Sequence, residues 1–93
     1  MPAVTRKTDE CTGHGGFPPR SALEGSPDTF VNGLKVNRVA DHWDVHCAAV
    51  CHDGQTLEGS PTVFINGKAA CRIGDPITCG SVSAQGSPDT FFG

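Results

Sequence analysis

The sequence has no tyrosine, one methionine and one tryptophan, and aromatic residues make up only 6% of its 93 positions. A chain so poor in large side chains builds a modest apolar core, and small domains of this kind commonly rely on a metal, disulfides or a partner. No run approaches the roughly 20 apolar residues of a membrane-spanning helix. The opening MPAVTRKTDE has no basic segment followed by an apolar one, so no signal peptide is expected. Basic residues are also scarce. Seven Lys and Arg against ten Asp and Glu leave a net charge of −3, and with no basic stripe the chain is not expected to bind nucleic acid. No segment keeps a 3.6-residue apolar period, which argues against helices.

What the sequence does have is turn formers, with 12 Gly and 7 Pro, and five Cys. An odd cysteine count without an export signal favours a metal site or buried thiols over a disulfide framework. It also has a repeat. EGSPDTFVNG (24–33) returns as EGSPTVFING (58–67) and, shortened, as QGSPDTFFG (85–93). The continuations LKVNRVAD (34–41) and KAACRIGD (68–75) match the opening AVTRKTD (3–9), with Arg6, Arg38 and Arg72 each three residues before Asp9, Asp41 and Asp75. Residues 1–9 and 85–93 are therefore expected to complete one unit beside those around 24–41 and 58–75. Together they would form a single domain over 1–93 with closed pseudo-threefold symmetry rather than an open array.

Each unit reads as a β-hairpin. TVFI is β-branched and aromatic, and Asn66-Gly67, like Asn32-Gly33, is a favoured pair for a two-residue type I′ turn. That loop pairs Ile65 with Lys68, Phe64 with Ala69 and Val63 with Ala70, and it sets Phe30 beside Lys35 and Asn37. One face would then carry Phe64, Ala69 and Cys71 as a strip of core. The fold class expected is all-β, a small pseudo-threefold cone of three repeated hairpins.

The links between units differ in length. From Asp75 to Gly86 is 11 residues, from Asp9 to Gly25 is 16, and from Asp41 to Gly59 is 18. His52 and Cys79 each lie seven residues before the following repeat glycine, while His14 lies 11 before its own, with FPPR accounting for the surplus. His14, His52 and Cys79 thus hold equivalent positions and can converge on the pseudo-axis. A tetrahedral metal needs one ligand more, which exact threefold symmetry cannot supply. The longest link, DHWDVHCAAVCH, offers it: His46 first, His42 second, then Cys47 or Cys51. Four protein ligands would close the site and leave no position for a reactive water. Cys11, Cys47, Cys51 and Cys71 otherwise read as buried or incidental thiols, and Trp43 as packed inside the long link. Asp9, Asp41 and Asp75 read as turn-closing groups. GHGG (13–16) lacks the strand-to-helix setting of a phosphate loop.

Tandem GSPxxFxNG hairpins, the recurring Arg-x-x-Asp and His/Cys residues in the links resemble the PAAR-repeat family over essentially the whole chain. Of the eponymous tetrapeptide, only the Arg persists across all three copies, AVTR, KVNR and AACR. The resemblance implies a structural, non-enzymatic, membrane-piercing tip. It would cap and sharpen the trimeric β-helical spike of a phage tail or type VI secretion machine (VgrG in the latter), one chain per trimer. It also implies one structural Zn2+ near the apex, with iron as the alternative, held by three His and one Cys: His14, His46, His52 and Cys79. The expected location is the tip of a virion's tail spike, or a cytoplasmic assembly that is then injected, with transient contact to the target-cell membrane. Two other readings are a carrier that recruits effectors to the spike and a small zinc hydrolase. The hydrolase would need an open metal position and a base such as Asp44 or Asp53. A disulfide-stapled module ranks last.

Overall fold

The computed structural model describes residues 1–47 and 51–93, leaving out the side chain of His52. Among the described residues the chain is all-β, with no helix, and its extents are 36 × 23 × 23 Å. Three two-stranded antiparallel sheets form: β1 (Phe30–Val31) with β2 (Leu34–Lys35), β3 (His42–Cys47) with β4 (Cys51–Gln55), and β5 (Phe64–Ile65) with β6 (Lys68–Ala69).

The turns follow from asparagine and glycine. Asn32 and Gly33 have φ of 54° and 76°, and Asn66 and Gly67 have 56° and 78°, so both central residues of each turn are left-handed as type I′ requires. The registers are Phe30↔Lys35, Phe64↔Ala69 and Ile65↔Lys68, as the two-residue loop dictates. The two ends of the chain meet in the same way, through an antiparallel bridge between Ala3 and Phe91. Val4 N–H donates to Thr90 O, as Val36 does to Thr29 O and Ala70 to Val63 O, and Ser87, Ser26 and Ser60 return the bond to Val4, Val36 and Ala70.

The lobes close on one another through the backbone. Thr5 N–H donates to Cys71 O at 2.9 Å, Cys71 N–H to Asn37 O at 2.9 Å, and Asn37 N–H to Thr5 O at 3.0 Å. These three fully buried residues form a cyclic ring on the pseudo-axis. Bridges Val4↔Arg72, Ala70↔Arg38 and Val36↔Arg6 run around it in the same sense.

Two apolar clusters flank the ring. Val4, Val36 and Ala70 form one, covered by Val31, Val63, Ile65 and Phe92 from the hairpins. Cys11, Ala22, Trp43, Cys71 and Ile77 form the other, with Cys79 packed against it. Trp43 therefore packs on residues of the other links as well as its own. Its Nε1–H donates to Thr56 Oγ1 at 2.9 Å, and that hydroxyl donates to Asn37 Oδ1 at 2.5 Å. This satisfies polar groups that a core of few large side chains must bury.

Each Arg-x-x-Asp forms a clamp. The aspartate accepts the Arg N–H and the guanidinium through both oxygens, at 2.8–3.0 Å in the three copies. These bonds, given by the aspartate partners, hold Arg6, Arg38 and Arg72 above the usual arginine range. Asp9, Asp41 and Asp75 close turns, as their spacing indicated.

Two expectations need correction. Phe64 is 60% exposed and does not share a core strip with Ala69 and the buried Cys71. Neighbouring residues of a strand face opposite ways, and the inward position belongs to Ile65, with Val31 and Phe92 in the other units. Cys47 and Cys51, read as thiols, instead form a disulfide across the β3–β4 hairpin. Their register makes them direct cross-strand partners with Cα atoms 4.1 Å apart, which the short sequence spacing alone does not reveal. Cys11, Cys71 and Cys79 remain thiols.

Candidate metal centre

The link between Asp41 and Gly59 folds into β3 and β4, and one irregularity in it decides which side chains face inward. Between Trp43 and His46 the register slips, from Trp43↔Gly54 to His46↔His52. In a regular strand, residues three apart lie on opposite faces. One extra residue in a β-bulge restores them to the same face. Trp43 and His46 are both buried, while Asp44 and Val45 between them are exposed. The bulge is what turns His46 inward.

The link after Asp9 delivers His14 by a tight turn. His14 and Phe17 exchange both backbone hydrogen bonds, at 3.1 and 2.7 Å, around Gly15 and Gly16. Gly13, at φ 72°, lies under the returning strand, and a Cβ there would sit 2.6 Å from Phe17 O. GHGG is thus a reversal that brings His14 and Phe17 together. Phe17 stacks on His14 with centroids 4.9 Å apart and tilts against His46 at 4.8 Å.

From these supports His14, His46 and Cys79 converge, with one donor atom from each lying within 4.8 Å of the others. The donor chemistry fits a metal of the zinc class, since imidazole and thiolate are its usual ligands. The hydrogen bonding of His46 fits as well. His46 Nδ1 lies 2.9 Å from Pro18 O, and a carbonyl can only accept, so Nδ1 carries the proton and Nε2 keeps its lone pair for a ligand. Bond lengths of about 2.0–2.3 Å place tetrahedral ligand atoms some 3.3–3.8 Å apart, so the group needs to close by about 1 Å around an ion.

The other candidates are placed differently. His52 stands opposite His46 in the backbone register, but its side chain lies outside the described residues. His42 is not in the group; its ring lies 3.8 Å from Asp53 and 3.1 Å from Gln55 Nε2. Cys47 and Cys51 are bonded to each other, and Cys11 is buried in the apolar cluster. Neither Asp44 nor Asp53 belongs to the metal-capable group among the described residues.

Two neighbours were not legible from the spacing. Phe17 shares the site with both histidines. Arg20, 4% exposed, donates from Nη2 to Cys79 Sγ at 2.7 Å and from Nη1 to Asp44 O at 3.0 Å. The only signal for Arg20 in the sequence is its place in FPPR, six residues after His14.

With fold and site in view, the family model of the PAAR motif matches residues 8–85. The chain belongs to the PAAR-motif family. Among curated proteins none matches it. The PAAR family is associated with the VgrG spike and with contractile injection systems in general, and this chain is a spike-tip-related protein of that kind. Of the PAAR tetrapeptide itself, the arginine of each clamp is what all three copies share.

Proposed function

We propose that this chain is a structural, non-enzymatic tip, a single PAAR-like domain over residues 1–93 that caps the trimeric β-helical spike of a contractile tail or type VI secretion machine. One chain sits on one spike trimer. His14, His46, His52 and Cys79 hold one structural Zn2+, or iron, at the piercing end. The observation that carries the reading is the cyclic ring of Thr5, Asn37 and Cys71, by which one chain offers three similar lobes to a threefold partner.

Three equivalent phenylalanines support the docking side. Phe30, Phe64 and Phe91 follow the GSP of their units and are 51%, 60% and 46% exposed. They belong to the hairpins that cover the Val4, Val36 and Ala70 cluster, whereas Cys79 packs on the other cluster. Covering a half-exposed phenylalanine is worth about 1–2 kcal/mol. Three such contacts made together give an affinity that none would give alone. On this reading the tip assembles in the cytoplasm or on a virion's tail and touches the target membrane only during injection.

The test is co-expression with the spike protein encoded nearest to it, read by native mass spectrometry. One chain and one metal per three spike subunits is the expected result. Phe30→Asp, Phe64→Asp and Phe91→Asp together should release the spike and keep the metal. A metal-bearing chain that never joins the spike would overturn the capping role.

A further inference from the structure

We infer that Arg20 is the outer-shell partner of the metal-bound Cys79 sulfur, a positioning residue that holds the sulfur and draws electron density from it. This rests on the metal reading above. Arg20 is buried and its Nη2 lies 2.7 Å from Cys79 Sγ. A guanidinium can only donate, so the sulfur accepts. Ser81 Oγ stands 3.2 Å away on the same sulfur.

The placement is built by several elements. The Arg20 carbonyl accepts Cys11 N–H at 2.9 Å, which fixes the backbone, and Nη1 grips the carbonyl of Asp44 inside the β3 bulge at 3.0 Å. The same guanidinium therefore ties the bulge that turns His46 inward to the sulfur of Cys79. Its room comes from Gly54, where a Cβ would lie 2.3 Å from Nη2 and 3.0 Å from Ile77 Cγ2. Any side chain at 54 would displace the tip of Arg20.

A metal-bound cysteine is a thiolate, and a charged donor on it makes a strong hydrogen bond. That bond lowers the energy of the sulfur lone pairs and weakens their donation to the ion. The site then favours a divalent over a trivalent ion, because the nearby cation adds to the charge that the ligands must balance.

Cobalt(II) reports on this directly, because its sulfur-to-metal charge-transfer band tracks the energy of the sulfur lone pairs. The wild-type chain loaded with Co2+ should show that band. Arg20→Met should move it to longer wavelength, because the sulfur lone pairs rise in energy once the charged donor is gone. Gly54→Ala keeps the guanidinium but pushes it off the sulfur, so it should move the band the same way, and it decides the matter if Arg20→Met does not fold. A merely structural Arg20 would change stability and leave the band energy alone. Bands at the wild-type position in the variants would overturn the inference, as would Co2+ binding without a sulfur band. A wild-type chain that takes up no Co2+ would sink the metal reading itself.

Discussion

Single residues in this protein carry loads that their neighbours in the repeat do not. The third position of each Arg-x-x-Asp turn is left-handed: Thr8 has φ 80°, Ala40 75° and Gly74 93°. Only glycine adopts that region without steric cost, and for a β-branched residue it is a clear outlier. Thr8→Gly and Ala40→Gly should each stabilise the fold by about 1 kcal/mol, and Gly74→Ala should cost a similar amount. Thermal melts of the three variants check this, with shifts of about 4–8 °C per kcal/mol. Cys71 is the second case. Burial pushes its thiol from 9.0 up to about 12, against weaker help for the charged form from Thr56, Thr5 and Ser83. A raised folded value means the contribution to stability is whole below 9.0 and is lost as pH rises toward about 12. The melting temperature should fall through that window, and Cys71→Ala should flatten the fall. An equal alkaline slope in Cys71→Ala would place the effect elsewhere.

At the scale of elements, the repeats are latched to one another through their turns. Asn32 Oδ1 accepts from Arg6 Nη1 at 3.0 Å and from Ser87 Oγ at 2.6 Å, while its Nδ2 donates to Asp89 at 3.0 Å. Asn66 repeats this with Arg38, Ser26 and Asp28. In the third unit the carbonyl of Gly93 accepts from Ser60 and Thr62 instead. The turn asparagines, and then the serines, hold Asp28 and Asp89 below the usual carboxylate range. Lowered folded values mean that this stabilisation is present above the ordinary range and is lost as pH falls through the lowered one. Asn32→Gly with Asn66→Gly keeps the left-handed turns and deletes the amides. The double variant should melt lower than wild type at neutral pH, with the gap narrowing in acid. A gap that stays constant with pH would separate the latch from the two carboxylates.

These elements also mark how far the sequence could be read. Asn-Gly turns, hairpin registers and the Arg-x-x-Asp closures were legible because each is local chemistry with a fixed residue count. The disulfide was not, since Cys47 and Cys51 become partners only once the register of β3 and β4 is set. The outward face of Phe64 was missed because strands two residues long give alternation nothing to reveal. At the candidate metal centre, repeat spacing pointed to His14, His52 and Cys79, of which the His52 side chain lies outside the described residues, and His46 was chosen from the longest link. The bulge that turns His46 inward is a property of pairing, and Arg20 reaches Cys79 across 59 positions of sequence.

For the molecule as a whole, the question is what keeps the end that carries His14, His46 and Cys79 from fraying. The links there have few apolar residues to bury, and the cluster beneath them is built from Cys11, Ala22, Trp43, Cys71 and Ile77. A metal at a thousand times its dissociation constant adds about 4 kcal/mol to stability. Chelation should therefore lower the melting temperature by on the order of 20 °C for a domain of this size. His14→Ala and Cys79→Ala should lose the metal and match the chelated wild type. Full metal content in either variant, measured by atomic emission, would remove that residue from the ligand set.

The axial ring of Thr5, Asn37 and Cys71 has one more consequence. Each peptide gives one hydrogen bond and takes one, so the closed circuit leaves no lone backbone row at the centre. Sheets ordinarily end in an edge, and an unguarded edge is where a stray strand of another molecule adds on. Here the central pairing has no end to extend. A protein made of strands as short as two residues can thus sit crowded among its own copies without offering its core as a template.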